Sequence, residues 1–554
     1  MKRLLVLLLL VSLTGAASAR GSGEDADASA GPRYPESVDP LGRYEAPVRL
    51  SIGIMTNAAT TFPAGDSYAD NIWTRALLEE LNIEIDIAWE AVGGDRYDTK
   101  LNLAIASNDL PDAVKLTNAG QFSRLVNAGR LADLTEAFDR FAYPQLGEWF
   151  EEDGGLRRSY GTVGDRLYGI SPSTANYQTA RMIFIRKDWR EDLGFGVPSS
   201  MDDVIAMARA FKAIDPQSRY GILITSEILD NGMSDMFAIA NSMGVWPRRW
   251  LEEDGELVYG SIQPGMKDVL TLYKQLYDEG LINPEFATTD GGASAPQLTN
   301  SMVGIAPNAF WLYSWPLNSL YASEGVEWET FPVMPMRGYE GGLRVSMDRS
   351  NREFFVVRSG YRNPEALIKV LNFQALKIND PVYAEQRFHS DGTYSNHMMM
   401  PFYPAFGPLR VNFDTYVNVT KAIQTNSEAP LVTPHDHLQY GRIQEYFAAK
   451  QAGEKPDQGA WVSKNFFYGE RSAFGVLDHY WRNDMFLLSP ADGIRTNEMI
   501  RRGETLDQLE AQYYVEIITG RRPLSDFDTF VQDWRDLGGA LIEFEINEWY
   551  KSIQ

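Results

Sequence analysis

Cysteine is absent from all 554 residues. That excludes disulfides, thiolate metal sites, a cysteine nucleophile and thioether lipidation together. Histidine is scarce too: the five are His389, His397, His435, His437 and His479, all late in the chain. Only His435-Asp436-His437 resembles a ligand set, and two alternating imidazoles with one carboxylate are too few to close a zinc site. That cluster reads as a surface loop, and no metal site is expected. Gly-x-Ser-x-Gly does not occur, and Gly93-Gly94 and Gly291-Gly292 lack the Lys-Ser/Thr sequel of a phosphate loop. There is no basic block either. Lys plus Arg number 51 against 75 Asp plus Glu, a formal charge of −24. A surface of that sign repels phosphate backbones, so nucleic acid is excluded as a partner.

Long apolar runs are missing beyond the N-terminus: no later stretch approaches the roughly eighteen residues of a membrane span. The N-terminus itself has the form of an export signal. Met1-Lys2-Arg3 supplies positive charge, Leu4 to Leu13 an apolar core, and Ala17-Ser18-Ala19 a small-x-small cleavage pattern. Export with cleavage after Ala19 is expected. Leu13-Thr14-Gly15-Ala16 has the shape of a bacterial lipobox with alanine in place of cysteine, so a non-lipidated periplasmic or secreted form is expected. Residues 20–46, rich in Gly, Ser, Ala, Asp and Pro, read as a flexible tether.

What is present is ample core material. The chain is 44% hydrophobic and 12% aromatic, enough for the two or three domains that its length suggests. Folded structure is expected to start with an alternating strand at Val48–Ile54, ending at Met55-Thr56-Asn57. A helix around Trp73–Leu81, a strand at Ile83–Trp89, a helix at Tyr97–Ser107 and a strand at Leu110–Leu116 follow. This strand-helix rhythm argues for an α/β lobe with a parallel core, which binds ligands at the carboxyl ends of its strands. Those ends carry Thr56-Asn57 and Thr117-Asn118.

Residues 165–213 read as the crossover to a second lobe. A short apolar run, Leu167–Ile170, is cut off by Pro172, and a second run, Met182–Ile185, comes after a polar linker. Ser200 and Asp203 then have the spacing of a capping box ahead of a helix whose apolar face is Met201, Val204, Ile205, Ala208 and Phe211. Beyond it the expected elements are a strand at Tyr220–Thr225, a helix at Phe237–Met243, a hairpin over Trp250–Tyr259 turning at Asp254-Gly255, a helix at Gly265–Glu279 stopped by Gly280, and a strand at Val303–Ala306. Phe354–Val357, with a helix opening at Asn363-Pro364-Glu365, repeats the strand-to-helix pattern and is expected to return the chain to the first lobe. The remainder reads as mostly helical.

The order of motifs resembles the extracellular solute-binding proteins (family 1) of carbohydrate ABC transporters, in the lipoprotein-like subgroup that includes alginate-binding periplasmic proteins. The residues that carry the resemblance are FSRLVNAGRLADLT (122–135), DRLYGI (165–170), FIRKDWREDLGFGVPSSMDD (184–203), LVYGSIQPGMKDVLTLYKQLYDEGLINPEFA (257–287) and GRRPLSDFDTFVQDWRDLGGALIEFEINEWY (520–550). The resemblance implies an α/β, two-lobed periplasmic-binding-protein fold (type II), with central mixed sheets flanked by helices and a ligand cleft between the lobes. The lobes are placed at 47–172 with about 352–405, and at 173–351 with about 406–554. One departure is evident. Where many members carry an Asp/Asn-rich calcium loop, this chain has the shorter Asp215-Pro216-Gln217-Ser218-Arg219-Tyr220-Gly221, with one carboxylate and an arginine, so loss of that calcium site is expected.

The aromatic residues indicate the ligand chemistry. A sugar presents an apolar C–H face rimmed by hydroxyls, matched by a flat ring flanked by amides. Trp311, Tyr313 and Trp315, which alternate after a strand end, are the leading candidates, followed by Trp246, Trp250 and Tyr177. Trp534 and Trp549 are assigned to the core. Polar partners are expected at Asn57, Asn118, Asn176 and Gln178, with Arg181 and Arg349 for an acidic ligand. The expected function is capture of an oligosaccharide by hinge closure and delivery to membrane permease subunits, by a monomer without catalysis or cofactor. Two alternatives stay open at this point: a secreted glycan hydrolase or lyase, and a glycan-sensing binding protein with no transport role.

Overall fold

The structure is a computed structural model that describes residue 34 and residues 38–553, except 58–59, 118, 153–154, 173–176, 230–231, 340, 348–352, 381, 390–393, 395, 405–406, 492–493 and 495. It has two lobes, each organised on its own sheet. The first sheet has four strands in the spatial order Phe354–Val357, Ala113–Leu116, Val48–Thr56, Ile83–Val92. Val48–Thr56 runs parallel to both neighbours, while Phe354–Val357 pairs antiparallel with Ala113–Leu116. The sheet is therefore mixed, because its edge strand arrives from the other lobe rather than through a right-handed crossover within this one.

Period-two alternation supplies both faces of that sheet. Phe355 and Val357 point into a core with Leu50, Ile52, Trp73 and Leu367, and Phe354 and Val356 point into the opposite one with Val114, Leu116, Phe122 and Tyr97. Gly53 marks a register shift against the second strand. A Cβ at Gly53 would collide with the indole of Trp89, so the close approach of strand and ring requires glycine there.

The second lobe is built on three antiparallel strands in the order Trp328–Pro332, Met182–Arg186, Ile305–Asn308. Met182–Arg186 is central and every residue in it is buried, as expected for a strand covered on both faces. Its core runs from Ala180 to Met347 and resumes at Phe413, drawing in the C-terminal helices as far as Ile542. Buried core residues of the first lobe thus run from Leu50 to Ile170 and from Phe354 to Phe402, and those of the second from Ala180 to Met347 and from Phe413 to Ile542. No helix among the described residues is long and apolar enough to cross a membrane.

Local signals with a defined geometry are realised as expected. Ser200 caps Met201–Ile214 in a reciprocal box with Asp203, and the hairpin Trp250–Glu253/Glu256–Tyr259 turns at Asp254 and Gly255, both at positive φ. Gly280, at φ 68, follows the helix Met266–Asp278. One expected strand is absent: over Tyr220–Thr225 the chain is irregular, with Gly221–Thr225 buried and Tyr220 half-buried, joined to the sheet region by single bonds such as Leu223 N to Ile305 O (2.9 Å) and Tyr220 N to Met302 O (2.8 Å). Its apolar content, Ile222 to Ile224, fills the core without forming a ladder.

Candidate functional site

A cavity of about 640 Å³ lies between the two lobes, within the range of small-molecule sites. Arg157, Pro172, Ile378, Asn379, His389, His397 and Tyr403 form one wall, and Gln178, Trp311, Asn412, His435, Gln439, Arg442 and Phe466 are in the other. The first group is continuous with the core of the first lobe, the second with that of the second.

Trp311 owes its place to the turn that follows the strand Ile305–Asn308. Residues Phe310–Tyr313 form one turn of 3-10 helix, not an extended segment. Ring directions therefore repeat every three to four residues instead of every two. Phe310 anchors the turn against Phe466 and Phe474 at 5.6 and 5.2 Å. Trp311 faces the cavity, and Trp315, 42% exposed, stacks on it with centroids 6.5 Å apart and 22° between planes. Tyr313 turns inward. It is fully buried between Phe184 and Trp461, with its hydroxyl 2.7 Å from Thr330 Oγ1.

The other expected contacts divide between cavity and interior. Gln178 lines the cavity, and its Oε1 accepts from Asn412 Nδ2 at 2.7 Å, which leaves its amide NH₂ as a donor group at the wall. Tyr177 packs edge-on against Trp481 and Phe486, each at 4.9 Å. Arg181 is buried and its Nε donates to Asp235 Oδ2 at 2.6 Å, so its charge is matched inside the second lobe rather than offered to a ligand. Trp246 is half-buried and donates through Nε1 to the Arg344 carbonyl. Trp250 packs on Tyr259, which stacks on Trp534. Asn57 is exposed at the carboxyl end of Val48–Thr56, outside the cavity wall, and its backbone N–H donates to Tyr68 Oη. Asn118, Asn176 and Arg349 lie outside the described residues.

Three histidines were not among the sequence candidates, and the expectation of a surface loop at His435 is corrected. Thr433, Pro434 and Asp436 make a capping box with proline in the first turn of Pro434–Gln451, and that helix start carries the His435 ring into the wall. The ring stacks on His389 (5.5 Å, 27°) and meets the edge of Phe467 at 5.7 Å. Burial, the largest cause in each case, lowers His389 to about 3 and His397 and His435 to about 4. All three are thus neutral at pH 7. The helix-start signal Thr-Pro-x-Asp was legible in the sequence; the partner ring across the cleft was not.

The segment expected to have lost a calcium loop is a short turn after the helix Met201–Ile214. Asp215 Oδ1 accepts from the backbone N–H groups of Gln217 and Ser218 at 3.2 and 3.3 Å, and the Arg219 guanidinium sits 4.1 Å from the centre of the Trp189 ring. The single carboxylate is engaged by its own turn, and the arginine is held beside it by a cation–π contact.

A family model described as bacterial extracellular solute-binding protein matches residues 59–377. Lipoprotein LipO of Bacillus subtilis is 22% identical over 86% of this chain and 88% of its own length. The polygalacturonan/rhamnogalacturonan-binding protein YtcQ of the same organism is 22% identical over 85% and 86%. Among solved structures, the ABC-transporter substrate-binding protein FusA of Streptococcus pneumoniae in complex with kestose superposes with a TM-score of 0.62 at 16% identity, covering 91% of this chain and 99% of that one.

Proposed function

The chain belongs to the bacterial extracellular solute-binding protein family, and from that premise we propose that it is the extracytoplasmic substrate-binding component of an ABC importer for an oligosaccharide. The observation that carries the reading is the cavity between the two cores, with the Trp311–Trp315 stack beside a wall of amide and imidazole groups. An indole face matches the C–H face of a pyranose, and Gln178, Asn379 and Asn412 supply donors and acceptors for its hydroxyls. The carbohydrate-binding relatives YtcQ and FusA support the same ligand class.

The mechanism is capture, closure and docking, with no bond made or broken. Ligand bound between two separately packed cores adds contacts available only when both walls meet it, and so shifts the population toward the closed arrangement. That closure is a rotation of one packed core against the other. The closed monomer then presents its ligand to permease subunits in the membrane. A thermal-shift screen of the mature protein against neutral and acidic oligosaccharides tests the reading. At least one saccharide raises the midpoint in proportion to the logarithm of its concentration; a flat response across the panel contradicts it. Incubation with the same saccharides yields no new reducing ends or unsaturated products.

A further inference from the structure

The charge of the cavity wall is opposite to that of the molecule. The chain carries 75 carboxylate side chains and a net charge of −24, yet among the described residues lining the cavity there is no aspartate or glutamate. The ionisable groups there, apart from the Tyr403 phenol, are Arg157, Arg442, His389, His397 and His435. A site for neutral sugars commonly offers carboxylates, which accept from two vicinal hydroxyls at once; this wall offers cations and imidazoles.

The wall also has unused hydrogen-bonding capacity. Nε2 of His389 and Nδ1 of His435 are both buried with no hydrogen-bond partner among the described residues, and His389 is only 7% exposed. An unpaired buried polar atom costs free energy that a ligand group can recover. The two rings come from different lobes and stack within 5.5 Å, so a group that engages both bridges the cleft.

The charged groups around the pair leave that role open. On the helix of His435, the Asp436 carboxylate accepts from Thr415, Asn418 and the backbone N–H groups of Val432 and Thr433, which holds it at the helix start. It favours the protonated ring, while Arg442 on the same helix and His397 across the cavity oppose it; His435 and His397 oppose protonation of His389. Arg157 is held in the wall by donating to the carbonyls of Trp149 and Gly407 at 2.6 and 2.8 Å.

Resting on the saccharide-binding reading above, we propose that the ligand is an acidic oligosaccharide, with a carboxylate seated on the His389–His435 pair and Arg157 and Arg442 in the same wall. Capture draws one proton from the solvent onto the imidazole pair: a ring nitrogen that is neutral in the empty cavity becomes N–H⁺ and donates to the ligand carboxylate. The ligand keeps all its own atoms and charge.

The test is calorimetric titration of the full mature protein with oligomers of galacturonate, glucuronate, mannuronate and guluronate, and with the same oligomers after methyl esterification. Titrations run at pH 5 to 8, in buffers of different ionisation enthalpy. The proposal expects a uronate oligomer to bind at least tenfold more tightly than its methyl ester, with uptake of about one proton. Its affinity then falls up to tenfold per pH unit as pH rises between the pKa of the empty pair and that of the liganded pair, and levels off above the latter. His389→Gln and His435→Gln each abolish the proton uptake and weaken acid binding. Proton uptake by the unmutated protein decides the point even if a variant folds poorly. Binding of a neutral oligomer with rejection of every acid overturns the inference and leaves the saccharide-binding reading intact. Acid binding without proton uptake overturns the histidine seat. No binding of any of these oligomers overturns the inference, while the thermal-shift screen with neutral oligosaccharides decides the saccharide-binding reading separately.

Discussion

Trp311 and Tyr313, two residues apart, face opposite ways: the indole lines the cavity between the lobes, and the phenol is fully buried with its hydroxyl 2.7 Å from Thr330 Oγ1. The two side chains should separate under mutation. Trp311→Ala is expected to cost about tenfold or more in saccharide affinity, about 1.4 kcal/mol, with little change in the unfolding midpoint. Tyr313→Phe is expected to lose about 1 kcal/mol of stability and no affinity. Calorimetric binding and urea unfolding of both variants check the contrast.

The Arg181–Asp235 pair inside the second lobe is expected to behave as a buried, matched charge. Arg181→Met leaves Asp235 uncompensated in the interior and should destabilise by about 3–5 kcal/mol, whereas Arg181→Met with Asp235→Leu should recover most of that loss. Chemical unfolding of the single and double variants measures it. Full stability in the single variant would contradict a buried, matched charge at this position.

At the turn Asp215–Gly221, calcium is expected not to bind. One carboxylate that already accepts from two backbone N–H groups, with Arg219 beside it, cannot supply the six to eight oxygens of a calcium site. A calcium titration should give no stoichiometric heat and no shift in thermal midpoint.

The empty protein should lose stability as pH falls from about 6.5 toward 4. The unfolded chain protonates its histidines near 6.5, while His389, His397 and His435 stay neutral in the folded state down to about 3–4. The unfolded state therefore binds more protons across that window. Glu510 acts in the opposite sense. Burial raises it to about 7 beside Arg248 and Tyr259, so the folded state holds a proton that the unfolded state has released above about 4.5, and stability rises as pH falls from 7. Thermal midpoints at pH 4 to 8 should fall less steeply on the acid side in His389→Gln and more steeply in Glu510→Gln.

Much of this architecture was legible where a local rule decided it. The capping box at Ser200 and Asp203, the turn at Asp254-Gly255 and the stop at Gly280 each depend on two or three adjacent residues, and the structure has all three. Long-range arrangement was less accessible. Tyr220–Thr225 has strand composition, but the positions beside Met182–Arg186 are taken by Ile305–Asn308 and Trp328–Pro332, so the segment packs without a ladder. The alternation over 311–315 suggested three rings on one side; the helical turn sends Tyr313 to the core. Arg181 carried no local sign that Asp235, 54 residues on, would neutralise it. The histidines went unread for the same reason, because His389 and His435 meet only across the cleft.

A saccharide held between two lobes that close on it makes the molecule more compact. Small-angle X-ray scattering of the mature protein, alone and saturated with the saccharide of largest thermal shift, tests it most directly. The saturated sample should have a smaller radius of gyration. An unchanged radius at full saturation contradicts it.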